Sequence, residues 1–144
     1  MVFVRRNLPA GACAMTHWSE KYIGQPYSRG DADCARLLCQ VRKEVFGLPV
    51  PDDAEVERAA SSLGRAAQMA DGVEAFGMRV GAPDEGDAVL MMCRGRPSHI
   101  GVFCRVNDEP CVLHAMENAG MTVLHRLRDL PRVMLSVEGF YRWK

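Results

Sequence analysis

The hydrophobic residues in the first half of the chain recur at helical spacing. The clearest run has apolar residues at intervals of three and four: Cys34, Leu37, Leu38, Val41, Val45 and Phe46. Such a run forms one face of an amphipathic helix. Asp33 is a suitable N-cap, and Gly47 provides a stop that is followed by Pro49. The pattern therefore predicts a helix that begins at Asp33 and ends just before Gly47.

Two more helices are expected on either side of this one. The first begins at Thr16, a possible N-cap, with Glu20 in its first turn. Its core-facing residues would be Trp18, Tyr22 and Ile23. Glycine and proline then predict an irregular loop over 24–32. The second helix covers about 53–71, where many alanines would allow close packing.

The second half of the chain changes to the alternating pattern of strands. Five segments carry this pattern: 87–93, 98–105, 110–116, 121–125 and 133–143. Turn residues separate several of them, including Gly95-Arg96-Pro97 and Asn107-Asp108. Sequential strands with short turns predict an antiparallel sheet. Helices followed by strands predict an α+β domain.

Length and charge restrict the classes of function. The chain has 144 residues with 18 basic and 18 acidic side chains, so its formal net charge is zero. A neutral chain gives no electrostatic reason to expect nucleic acid as a partner. No apolar run reaches the roughly 20 residues of a membrane span, so no membrane insertion is expected.

The first residues lack the pattern of a signal peptide. Asn7, Pro9 and Gly11 interrupt the apolar core that such a peptide needs. We therefore interpret 1–14 as an N-terminal arm and 15–144 as one domain. Synthesis in the cytoplasm without a signal peptide is the corresponding expectation for localisation.

The six cysteines do not form a recognisable metal or disulfide motif. They lie at positions 13, 34, 39, 93, 104 and 111, and no pair has CxxC spacing. This excludes a thioredoxin-like dithiol and gives no support to a zinc ribbon. The expectation is that most are buried free thiols in a protein folded in a reducing compartment, with no metal and no cofactor.

Cys34 differs from the other cysteines by its position at a predicted helix start. Backbone N–H groups and the helix dipole favour an anion there, and helix N-termini lower thiol pKa values. The same N–H groups can stabilise an oxyanion. Cys34 is thus a candidate nucleophile, and a buried cysteine on an amphipathic face is the alternative.

Two histidines on neighbouring predicted strands complete a candidate site. Cross-strand neighbours lie about 5 Å apart, so His114 could orient His99, which in turn could accept the proton of Cys34. Core histidines and a metal site made of the same three residues are the alternatives. His17 and His125 have no evident partner in the sequence and are weaker candidates.

A set of short motifs in a fixed order resembles the NlpC/P60 family. The motifs are YIGQPY at 22–27, DCA at 33–35, VFGLPVP at 45–51, GDAVL at 86–90, SHIGVF at 98–103, VLHA at 112–115 and GFYR at 139–142. The resemblance runs from about residue 15 to 144, and GFYR is similar to the ending of phage-tail members. It implies a papain-like α+β fold with N-terminal helices packed on a central antiparallel β-sheet.

The resemblance also implies an activity and a set of site residues. Family members are cysteine peptidases that cut peptidoglycan stem peptides between D-glutamate and a diamino acid. By motif match, Cys34 is the nucleophile, His99 the base and His114 the orienting residue. Tyr27 matches the tyrosine at the oxyanion site, and Asp33 and Ser98 match positions that flank the cleft.

One departure from the family pattern affects specificity. The family usually has Asp-Cys-Ser-Gly or Asp-Cys-Trp-Gly, whereas this chain has Arg36 in place of the glycine. Arg36 would either clamp a substrate carboxylate or crowd the groove.

The resemblance gives a setting and leaves other functions open. The expected partners are the peptidoglycan peptide and other phage tail proteins, with action at the bacterial cell wall. The alternatives are a non-catalytic domain of a tail tip or assembly complex, and an amidase or acyltransferase that uses the same Cys–His site.

Overall fold

The computed structural model describes residues 2–3, 17–28, 33–48 and 77–143, and a single antiparallel sheet dominates these ranges. Its strands in chain order are β1 Val2–Phe3, β2 Gly77–Val80, β3 Ala88–Cys93, β4 Arg96–Val106, β5 Glu109–Met116, β6 Met121–Arg126 and β7 Leu135–Trp143. Their spatial order is β1-β6-β5-β4-β3-β7-β2.

Strands β3 to β7 confirm the five strands predicted from the alternating pattern, with small shifts at their ends. The turn between β4 and β5 has two residues, Asn107 and Asp108, with φ of 52° and 62°. Positive φ at both central positions is the geometry that two-residue hairpins require, and Asn and Asp adopt it readily. This tight hairpin keeps β4 and β5 adjacent, and the turn over 117–120 keeps β6 next to β5.

The predicted helix after Asp33 is also confirmed, as α1 Cys34–Glu44. The Asp33 carboxylate accepts the backbone N–H of Arg36 at 3.0 Å, which caps the first turn. The chain leaves the helix through Gly47, whose φ is 62° and whose N–H donates to the Lys43 carbonyl. A left-handed glycine of this kind is a common helix end.

The predicted helix at Thr16 is wrong in kind and extent. The described part is a four-residue 3-10 helix, Trp18–Lys21, and its N-cap is His17. Thr16 lies outside the described residues, as does the predicted helix at 53–71. A second 3-10 helix, Leu127–Val133, connects β6 to β7.

The predicted fold class is wrong. A papain-like α+β fold with several N-terminal helices packed on the sheet was expected, but α1 is the one α-helix in the described ranges. Within 17–28, the described stretch before α1, the helical residues form a 3-10 helix that ends at Lys21, and Gly24 follows with φ of 88°. The described residues form a mainly β structure, to which α1 adds a single helix.

The sheet has a hydrophobic core on each face. On one face, α1 packs against β4 and β5. The residues that share this core include Leu37, Leu38, Val41, Ile100, Val102, Leu113 and Leu124. On the other face, the second 3-10 helix covers a core that includes Val89, Met91, Phe103, Val112, Leu130 and Leu135. Two cores follow from strands that are apolar at successive positions.

No helix among the described residues is long and apolar enough to span a membrane. The prediction of no membrane insertion is compatible with this finding.

Candidate cysteine–histidine site

Three histidines from three adjacent strands form a continuous hydrogen-bonded row. Nε2 of His99 lies 2.7 Å from Nδ1 of His114, and Nε2 of His114 lies 2.7 Å from Nδ1 of His125. His114 is 0% exposed and His125 is 1% exposed. The predicted contact between His99 and His114 is thus present, and His125 extends it.

The register of the strands explains why these rings meet. His125 pairs with Val112, and His114 pairs with Val123, so the two histidines lie diagonally on one face of the β5–β6 pair. Diagonal neighbours on one face are within reach of long side chains. Gly101 on β4 lies against Val112 and His114 of β5. A Cβ at this position would come within 2.5 Å of the Val112 side chain and 3.1 Å of the His114 Cβ.

Burial keeps the row neutral. Desolvation lowers the pKa of His99 from 6.5 to about 4, with a smaller contribution from His125. Desolvation also lowers the pKa of His114 well below its usual value, and the two neighbouring imidazoles add to this effect. The pKa of His125 is lowered as well, again mainly by burial. All three imidazoles are therefore uncharged at neutral pH, and neutral imidazole is the form that accepts a proton.

The last nitrogen of the row is orphaned. Nε2 of His125 is buried and finds no hydrogen-bond partner within the part of the chain that the structure describes. A buried polar atom without a partner costs about 1–3 kcal/mol.

Cys34 occupies the position that the sequence predicts for it, at the first turn of α1. It is 1% exposed and belongs to the core that α1 shares with Ile100, Val102 and Leu113. These strand residues alternate with the histidines, and successive strand residues point to opposite faces. By this alternation, His114 lies on the face of the sheet away from the α1 core.

A β-bulge lies beside His99. Met91 pairs with His99 but Met92 pairs with Pro97, so Ser98 is an extra residue on β4. The pairing of β4 with β5 extends only to Val102 in this direction. Bulges re-aim side chains and occur often beside active sites. His99 therefore lies at a place where the strict alternation of the sheet is interrupted.

Of the other predicted site residues, Asp33 and Arg36 lie at the start of α1, whereas Tyr27 and Ser98 lie on other segments. Asp33 is fully buried and caps the helix. Arg36 lies half-buried in the same first turn. Tyr27 lies half-buried against the α1 core, and its N–H donates to the Gly120 carbonyl at 2.8 Å. Ser98 is on β4, but its side chain is outside what the structure describes.

Two motifs of the resemblance meet away from the histidines. The Asp87 carboxylate of GDAVL accepts Nε and Nη2 of Arg142 from GFYR, at 3.3 and 3.1 Å. It also accepts the backbone N–H of Asp84 at 2.7 Å. The ring of Phe46 occupies the place that a Cβ on Gly86 would take. These residues hold β3 and β7 together and position the turn before β3.

Sequence reasoning missed the participation of His125 and a partner for His17. Alternation places His125 on one face of its strand, but its partner depends on the β5–β6 register, which a single sequence does not show. Nε2 of His17 lies 2.9 Å from the Glu85 carboxylate, although the two residues are far apart in the chain. No signal in the sequence connects that pair.

Comparisons with known proteins add no family. No family model matches the chain, and no curated protein and no solved structure matches it either.

Proposed function

We propose that the protein is a cysteine hydrolase in which Cys34 is the nucleophile, His99 the general base and His114 the residue that orients His99. The observation that carries the proposal is the 2.7 Å contact between the two imidazoles. This contact uses Nε2 of His99, so Nδ1 is the atom that would take the thiol proton. Cys34 lies in the α1 core, and His114 faces away from that core. The proposal therefore requires the β-bulge at Ser98 to bring His99 to the Cys34 side of the sheet. A nucleophile, a base and an orienting group form the minimum set for this chemistry.

The steps balance with these residues alone. Nδ1 of His99 takes the Cys34 proton, and the thiolate attacks the carbonyl carbon of the substrate. The imidazolium then returns that proton to the leaving amine, which departs and leaves a thioester on Cys34. Nδ1 next takes a proton from water, the resulting hydroxide attacks the thioester, and the acid product leaves as the thiol is restored. The N-terminus of α1 and the Tyr27 hydroxyl would stabilise the oxyanion.

We propose a peptidoglycan stem peptide as the substrate, cut between D-glutamate and a diamino acid. The motif order around Cys34, His99 and His114 supports this choice. Arg36 lies in the same helical turn as Cys34 and is half-buried. It suits a substrate that carries free carboxylates, which peptidoglycan peptides do. Action within a phage tail at the cell wall is the corresponding setting.

The test is product analysis of muropeptides after incubation of purified peptidoglycan with the wild type and with Cys34→Ala. The variant should lose hydrolysis entirely, because Cys34 is the group that forms the thioester in this mechanism. Cys39→Ala is the matched control, since Cys39 is on the same helix and only half-buried. Undiminished cleavage by a folded Cys34→Ala variant would overturn the mechanism. The bond that is cut separates a peptidase from an amidase.

One observation favours a second function, that of a non-catalytic structural domain of a tail assembly. Cys34 is 1% exposed, so the thiol contacts solvent only if the side chains around it move. Labelling with iodoacetamide measures this movement. A hydrolase should alkylate at Cys34 faster than at Cys39, whose burial raises the pKa of its thiol to about 11. A structural domain should show no such preference.

A further inference from the structure

A second cluster of reactive side chains lies away from the histidine row. The ligand atoms of His17, Glu85 and Cys104 all lie within 4.8 Å of one another. Nε2 of His17 is 2.9 Å from Oε1 of Glu85. Cys104 is fully buried beneath them, whereas the Glu85 side chain is 40% exposed. The cluster therefore has a thiol at its base and an opening to solvent on one side.

Three separate segments hold these side chains in place. His17 caps the first 3-10 helix, Glu85 is in the turn before β3, and Cys104 is on β4. The Glu85 carboxylate accepts the backbone N–H of Arg105 at 3.2 Å. Nδ1 of His17 lies 2.7 Å from the Ser19 hydroxyl. Each outer contact fixes the direction of a side chain, as the outer partners of metal ligands do.

We propose that His17, Glu85 and Cys104 bind a divalent transition-metal ion, of which zinc is the best match. An imidazole nitrogen, a thiolate and a carboxylate oxygen form a mixed N, S and O donor set that suits zinc and disfavours magnesium and calcium, which prefer oxygen ligands. Three protein ligands leave a fourth position of a tetrahedral site for water, on the side where Glu85 is exposed.

Proton balance at this site is simple. Binding requires the thiolate of Cys104, so one proton leaves to solvent. It also requires the Nε2 lone pair of His17, so the ring proton moves from Nε2 to Nδ1. Nδ1 then gives up the Ser19 backbone N–H that it accepts at 3.1 Å and donates to the Ser19 hydroxyl instead. The ion would replace the direct His17–Glu85 contact with bonds to both groups. It would thereby fasten the segment before α1 to the sheet, and this role is independent of the proposed hydrolysis.

The test titrates chelator-treated full-length protein with Zn²⁺ and measures bound metal by elemental analysis, together with the melting temperature. One ion per chain and a higher melting temperature are expected. Glu85→Gln should weaken binding at least tenfold. Because the Glu85 side chain is exposed, this variant should fold as the wild type does. Cys39→Ser is the control, because its thiol lies on α1 outside the cluster, and its binding should equal that of the wild type.

Cobalt gives a second readout that identifies the thiolate. Co²⁺ bound to this site should show a sulfur-to-metal charge-transfer absorption that Cys104→Ser loses and Cys39→Ser keeps. A wild type that binds neither ion, or Glu85→Gln and Cys104→Ser variants that bind as the wild type does, would overturn the proposal. Binding that His114→Ala abolishes and Glu85→Gln leaves unchanged would place the metal at the histidine row and would equally overturn it.

Discussion

The four histidines of this chain are found in two very different settings. His99, His114 and His125 contact one another in a row, in which His114 and His125 are buried, His99 is half-buried, and desolvation lowers the pKa of each ring. His17 instead lies at a partly exposed position, and its partner is a carboxylate. A buried imidazole row favours neutral rings, so an imidazolium formed on it gives up its proton readily, whereas an imidazole beside a carboxylate can hold a cation. The first setting suits acid–base chemistry and the second suits metal binding.

The largest loss of activity should come from substitution of His99, the member of the row that is proposed as the general base. His99→Asn removes the base, and general-base catalysis contributes about 10²–10⁴-fold, so kcat/KM should fall by about 10³. Muropeptide hydrolysis measures this, with Cys39→Ala as the control that keeps activity. A His99→Asn variant within threefold of the wild type would exclude His99 as the base.

The next effect concerns the middle of the row. His114→Ala removes the acceptor that holds His99 and should lower kcat by about 10²-fold with little change in KM, because the substrate does not contact His114. His114→Gln retains a hydrogen-bonding group of similar reach and should recover part of the loss. Equal activity in both variants would show that His114 fills space without orienting His99.

The pH dependence of stability tests the buried state of the row. Each histidine has a lowered pKa in the folded protein, so the unfolded chain binds more protons below pH 6.5. Stability is therefore fully present above pH 6.5 and is lost as the pH falls towards the folded value of about 4 for His99. Each pH unit in this window costs up to about 1.4 kcal/mol for each histidine that titrates on unfolding.

Urea unfolding at pH 7 and pH 4.5 measures that loss. His99→Asn should lose less stability over this interval than the wild type, because one of the three histidines no longer titrates. Cys39→Ala should lose as much as the wild type. An identical loss in His99→Asn and the wild type would mean that His99 is not held neutral by the fold.

The strands and α1 could be predicted from local patterns in the sequence. For α1, the N-cap residue, the terminating glycine and the hydrophobic period all indicate the same helix, and the strands have clear alternation. They did not predict the fold class, because the proportion of helix depends on whether a short helical segment is long enough to form a stable α-helix. The 3-10 helix at Trp18–Lys21 has four residues, fewer than a stable α-helix needs. His99 and His114 were found by their place on adjacent strands. His125 required the register, and Glu85 required a contact across the fold.

A smaller effect is expected from the glycine between the histidines. Gly101→Ala places a Cβ 2.5 Å from Val112 and 2.8 Å from the Leu113 carbonyl, where the backbone atom cannot move cheaply. Overpacking of this kind costs about 1–3 kcal/mol. Gly81→Ala is the control, since nothing lies within 4 Å of that position and its φ is not positive. Thermal unfolding should show a lower melting temperature for Gly101→Ala alone.

The smallest effect on activity should come from His125, at the other end of the row. Its size depends on which ring nitrogens carry the protons. For Nδ1 of His99 to act as a base, Nε2 of His99 must donate to His114 and Nε2 of His114 must donate to His125. Nε2 of His125 then carries a proton that no described group accepts. Among the described residues, the catalytic arrangement thus leaves this buried N–H without an acceptor. The reversed arrangement places a proton on Nδ1 of His99, which then cannot act as a base.

Two substitutions at His125 distinguish these arrangements. His125→Asn keeps an acceptor for His114 and removes Nε2 of the ring, so activity should stay within threefold of the wild type. His125→Ala removes the acceptor, lets His114 reverse its protons, and should lower kcat about tenfold, in line with a positioning role. If both variants lose the same activity, His125 acts by filling space. The functional part of the histidine row then consists of His99 and His114 alone.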